Sequence, residues 1–180
     1  MSCELHVVDA FTGFPFRGNP AAVCILDGPA DPAWMQQVAA ELKHSETAFL
    51  HPGAKGWNLR WFTPAQEVEL CGHATLAAAF VLWKTGRAGA GSPISFETLS
   101  GTLTARQDEA WINLDFPAEP AHAVPPIPGL DRALGAAPLF VGKNRFDLLV
   151  ELPSAADVCD CEPDMVALAA LPARGIIVTA

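Results

Sequence analysis

The spacing of hydrophobic residues changes along the chain, and each change marks an element. "ELHVVDAF" (4–11) alternates apolar and polar positions and stops where "TGFPFRGNP" supplies Gly and Pro. That pattern predicts a strand closed by a turn. "AAVCIL" (21–26) is a short unbroken apolar run and reads as a buried strand. In "DPAWMQQVAAEL" (31–42) the period lengthens. Asp31 stands at the N-cap, Pro32 at the first helical position, and Trp34, Val38 and Leu42 share one face. "TAFL" and "WNLRWF" then predict two strands, and "ISFET", "GTLTAR" and "AWINLDF" three more.

One helix, about 72–84, interrupts these strands. Between Cys71 and Trp83 it carries no charge. A helix apolar on every face must be covered on every face. Since its neighbours are mostly strands, the predicted fold is α+β, with a β-barrel wrapped around a central helix. "PAEPAHAVPPIP" places five prolines in twelve positions, which reads as an extended linker. The expected organisation is therefore a barrel domain over 1–117, a linker over 118–129 and a partial second domain over 130–180. In the last, "LFVGK", "RFDLLVEL" and "GIIVTA" predict strands, with a helix near 162–170. So short a segment is marginal for a core of its own. It is expected to make the chain a homo-oligomer or to dock on the first domain.

Composition narrows the function. Of 180 residues, 51% are hydrophobic and 17% charged, enough for a sizeable core. Eleven basic against 20 acidic groups give a net charge of −9 with no basic run, which excludes nucleic acid as the expected partner. The apolar run 70–83 falls short of the ~20 residues that span a bilayer, so no membrane partner is expected. "MSCELHVVDAF" lacks a basic leader and does not read as a secretion signal. The five cysteines (Cys3, Cys24, Cys71, Cys159, Cys161) are odd in number and scattered. Reduced thiols and a cytoplasmic location are the expectation. "CDC" at 159–161 is too short for a zinc half-site, and His6, His51 and His122 show no ligand spacing. No metal and no cofactor are expected.

The candidate chemistry lies in "ELCGHATLAAAF" (69–80) and "HSETAFL" (44–50). A helix start offers free N–H groups and a partial positive charge, suited to a carboxylate. Gly72 allows close approach, His73 can hydrogen-bond a substrate, and Thr75 adds a hydroxyl. Equally, Gly72 caps a turn and His73 is a satisfied, partly buried histidine. Glu46 enters an apolar strand, where desolvation suits a carboxylate to acid–base work; the alternative is an exposed carboxylate. Ser45 precedes it. Cys71 reads either as a thiol activated by the helix start or as a small buried hydrophobe.

Together, "VVDAFTGFPFRGNPAAVCIL", "SETAFL" and "RWFTPAQEVELCGHATLAAAFVL" resemble the phenazine biosynthesis PhzF-like family in order and spacing. The resemblance implies a diaminopimelate-epimerase-like fold of two similar domains. It also implies a cofactor-independent isomerase acting on a small carboxylate-bearing metabolite. Glu46 would be the acid–base and the Gly72-His73 pair would hold the substrate, and Thr75 and Ser45 are the further substrate-binding candidates beside them. Related racemases and epimerases use thiols instead, one of them in a block resembling Cys71-Gly72. Nothing in the chain resembles the family's later block, which implies a truncated second domain. A catalytically silent binding or oligomerising remnant is thus the rival expectation.

Overall fold

A computed structural model describes residues 3–180. The chain divides into two compact units, one ending at Phe116 and one spanning Pro117–Ala180. The first contains β1 (Cys3–Ala10), β2 (Asn19–Leu26), α1 (Pro32–Leu42), β3 (Thr47–Gly53), β4 (Gly56–Phe62) and β5 (Glu67–Val68). It continues with α2 (Gly72–Lys84), β6 (Ile94–Thr98), β7 (Gly101–Asp108) and β8 (Trp111–Asp115).

Its strands form one sheet in the order β1-β2-β3-β4-β6-β7-β8, with β5 added against β4. Two neighbouring pairs, β2/β3 and β4/β6, are parallel. Parallel neighbours need a crossover, usually helical, and α1 and α2 are those crossovers. They lie on opposite faces of the sheet. Val23, Ile25, Ala48, Leu50, Leu59 and Trp61 point to the α2 side. Cys24, Leu26, Phe49 and Phe62 point to the α1 side, against Met35 and Ala39. This double covering explains why "AAVCIL" and "TAFL" are unbroken apolar runs, since a strand alternates faces residue by residue.

Helix α1 begins as predicted: the Asp31 carboxylate accepts the Ala33 N–H at 3.0 Å, and Pro32 follows. Its buried seam is Met35 and Ala39, flanked by Trp34 and Val38, a slight rotation from the expected face. Helix α2 packs on β1, β2, β3 and β8. Contact with both end strands means that the sheet curls around it. The sheet is a curled half-barrel, and the expectation that α2 is covered on every face fails at one stripe. Eight of its side chains are buried, but Phe80 is 43% exposed and Lys84, one turn on, faces solvent. Among the described residues β1 pairs only with β2, and β8 only with β7, so no strand covers that stripe.

The second unit holds β9 (His122–Ala123), α3 (Leu130–Leu134), β10 (Phe140–Lys143), β11 (Leu148–Glu151), α4 (Ala155–Cys159), α5 (Met165–Ala169) and β12 (Ile176–Thr179). Its sheet runs β12-β11-β10-β9, with only β11/β12 parallel. The stretch expected as a linker belongs to this unit, because β9 hydrogen-bonds to β10 within the proline-rich segment. The five prolines flank β9 and none lies in it, so they remove no donor from its ladder. The helix expected near 162–170 is shorter, and a second one precedes it. Asp164 caps α5, accepting the Val166 and Ala167 N–H groups. Ser154 caps α4. Among the described residues no helix is long and apolar enough to cross a membrane.

Candidate functional site

Two chain segments meet at one end of the first unit. Ser45 and Glu46 lead into β3, and the Glu46 carbonyl accepts the Ala22 N–H of β2 at 3.4 Å. Cys71 is the N-cap of α2, in extended conformation, and makes no side-chain cap bond. The first turn of α2 is thus left without the usual Ser, Thr, Asp or Asn acceptor.

His73 joins the two segments. Its Nε2 lies 3.1 Å from the Ser45 hydroxyl and 3.4 Å from Glu46 Oε2. Its Nδ1 lies 3.4 Å from the Cys71 sulfur. Burial holds the His73 imidazole below its ordinary pKa, and the Glu46 carboxylate opposes that shift. At neutral pH the ring is therefore neutral, able to donate from one nitrogen and accept at the other. Burial first, then the Glu46 carboxylate, pushes the Cys71 thiol up to about 12. Backbone N–H groups of Ala74 and His73 pull it back only in part.

The fold brings together Ser45, Glu46, Cys71 and His73, four residues singled out in the sequence. Gly72 sits between two of them. A Cβ on Gly72 would meet only Phe116, at an ordinary 3.7 Å, so packing inside the unit does not demand glycine. Thr75 departs from its expected role. It is fully buried, and its hydroxyl donates to the Cys71 carbonyl at 2.6 Å. That bond braces the helix start.

Two features of the fold are not visible in residue spacing. Glu46, Cys71 and His73 each offer a metal-ligand atom, all within 4.8 Å of one another; the distance in sequence from Glu46 to Cys71 hides the cluster. The segment joining β1 to β2 carries exposed Phe11, Phe14 and Phe16, with Phe11 and Phe16 at φ 65° and 64°. Left-handed backbone at a bulky residue is strained.

Comparisons agree with this architecture. The family described as "Phenazine biosynthesis-like protein" matches residues 8–180. An uncharacterized isomerase of Halalkalibacterium halodurans is 51% identical over 180 residues, covering 99% of this chain and 68% of the relative. A phenazine biosynthesis-like domain-containing protein of Homo sapiens is 49% identical over 130 residues, covering 68% of this chain and 45% of that protein. Among solved structures, a PhzF family protein of Enterococcus faecalis superposes with TM-score 0.88 at 40% identity, covering 99% of this chain and 68% of its own. A hydroxyproline epimerase of Agrobacterium vitis matches with TM-score 0.55 at 11% identity, which shows a shared fold alone. This chain belongs to the PhzF-like phenazine biosynthesis family.

Proposed function

We propose that the first unit carries the acid–base half of an isomerase site, in which Glu46 moves a proton between carbons of a small carboxylate-bearing substrate. The observation that carries this reading is the Glu46 carboxylate held 3.4 Å from His73 Nε2 at the start of α2. The substrate carboxylate would lie on the free N–H groups of the first turn, where the helix dipole favours an anion. Gly72 lets it approach closely. Glu46 takes a proton from one carbon, the electron pair shifts along the conjugated system, and the proton returns to another carbon. Neutral His73, held by Ser45, donates a hydrogen bond to the developing negative charge without becoming an acid itself. No cofactor is needed for a step of this kind.

The rival base is Cys71. A thiol pushed up to about 12 is almost wholly protonated at neutral pH, which favours Glu46. The kinship with proteins named isomerases supports the reaction class. The test is exchange of substrate carbon-bound hydrogen in D₂O across a panel of small cyclic and amino carboxylates. Glu46→Gln should lower exchange by on the order of 10²–10⁴-fold, while Cys71→Ala keeps most of it. The reverse pattern would assign the base to the thiol. No exchange with any substrate would favour the silent-remnant reading.

A further inference from the structure

Glu46, Cys71 and His73 place an oxygen, a sulfur and a nitrogen around one small volume. We propose that this cluster is a capture site for zinc or a similar borderline divalent cation, and that the metal blocks the site by claiming Glu46. Tetrahedral zinc with bonds of about 2.0–2.3 Å requires donor atoms roughly 3.3–3.6 Å apart. Cys71 Sγ to His73 Nδ1 and His73 Nε2 to Glu46 Oε2 are each 3.4 Å. These two contacts use opposite ring nitrogens, so one donor must move to complete the set. Glu46 is the partner with room to move, its side chain being 21% exposed against 9% for His73. Ligation through Nδ1 leaves Nε2 on the Ser45 hydroxyl, the hydrogen bond that fixes the orientation of a metal-bound imidazole.

Charge and hydrogen bonding favour the same outcome. One thiolate and one carboxylate neutralise a divalent ion, so nothing is buried with net charge. The N–H groups of His73 and Ala74 approach the Cys71 sulfur, as suits a thiolate ligand. A mixed sulfur, nitrogen and oxygen set selects zinc or cobalt over magnesium or calcium. The step is balanced: the Cys71 S–H bond breaks, an S–metal bond forms, and one proton leaves to solvent. Metal capture rests on this geometry alone; that it blocks the site rests on the isomerase reading.

Cobalt(II) added to the reduced full chain is the probe, because its spectrum reports ligands without any substrate. The expected result is a tetrahedral visible spectrum with a thiolate-to-cobalt band, displaced by zinc with release of a proton. Replacing both Cys159 and Cys161 by Ser should leave that band intact. Cys71→Ser should remove it, and Glu46→Gln or His73→Asn should weaken binding by on the order of tenfold or more. Far-ultraviolet circular dichroism checks that each variant is folded, and Glu46→Gln carries the test if Cys71→Ser is not. No thiolate band at millimolar cobalt, or a band that survives Cys71→Ser, would overturn the proposal.

Discussion

Helix α2 of the first unit is ringed on most sides by strands, whereas the helices of the second unit are five residues each and two of them, α4 and α5, bury no side chain. The difference extends to the cores. Around α2 the buried cluster runs from Ala21 to Ala105 and includes Trp61, Leu82 and Phe96. The second unit's buried cluster is Leu130, Leu134, Val150 and Leu152, and it leaves Met165 and Val166 in solvent. Among the described residues, the one convergence of metal-ligand-type side chains lies in the first unit. Donors stay at fixed distances only where the elements carrying them are held by packing. Depth of core and location of the site therefore go together.

The largest expected effect tests whether the two units are energetically separate. All five tryptophans, Trp34, Trp57, Trp61, Trp83 and Trp111, lie in the first unit, so tryptophan fluorescence reports it alone. Leu82→Ala should destabilise that transition by about 2–5 kcal/mol. Leu152→Ala, in the other core, should leave the tryptophan transition in place while shifting circular dichroism. Equal displacement of both signals by both variants would show one cooperative system and break the comparison.

Next in size is a test of the site itself. Gly72→Ala should preserve the tryptophan transition, since its Cβ finds space 3.7 Å from Phe116, and alanine is the better helix former. Binding of a small carboxylate should nevertheless weaken by about tenfold, or roughly 1.4 kcal/mol. Calorimetry on a carboxylate found by thermal shift is the measurement. Unchanged affinity would remove the helix start from the binding site.

How much of this could be read in advance differs between the units for a physical reason. An uncharged run from Cys71 to Trp83 can only be a helix needing cover, so α2 and its sheet were legible. Glu46 was legible as a carboxylate entering an apolar strand, but the sequence left open whether it is desolvated or exposed. The exposed stripe at Phe80 was not legible, because whether a sheet closes depends on its end strands and not on the helix. The triangle of Glu46, Cys71 and His73 is a tertiary fact, made by the β3 and α2 starts meeting. In the second unit the proline run concealed β9, whose pairing is decided by β10. The Ser154–Asp157 capping pair was a local signal for α4 that the apolar pattern, being weak there, did not bring forward.

A smaller effect concerns association. Among the described residues strand β12 pairs with β11 alone, and Ile177 on it is half exposed. We propose that this strand pairs with a second copy, since an exposed strand edge presents free backbone groups. Ile177→Lys should shift the chain toward monomer in light scattering at micromolar concentration, without moving the tryptophan transition. A wild-type chain that is already monodisperse and monomeric would defeat the proposal.

The smallest effect is carried by protons, and it falls again in the first unit. Burial depresses the folded pKa of His73 below its ordinary 6.5, with Glu46 opposing. A group whose folded pKa is depressed contributes stability that is complete above its unfolded value and is lost as pH falls through the folded one. The tryptophan transition should therefore weaken as pH drops below 6.5. Cys71 behaves in the opposite sense. Burial first, and then the Glu46 carboxylate, raises it from 9.0 to about 12. Its contribution is complete below 9.0 and is lost as pH rises towards 12. Urea midpoints across this range should show both flanks. His73→Asn should flatten the acid flank alone, and Cys71→Ala the alkaline flank alone. An acid flank that persists in His73→Asn would locate the titration elsewhere and remove the reason for treating the imidazole as a neutral donor.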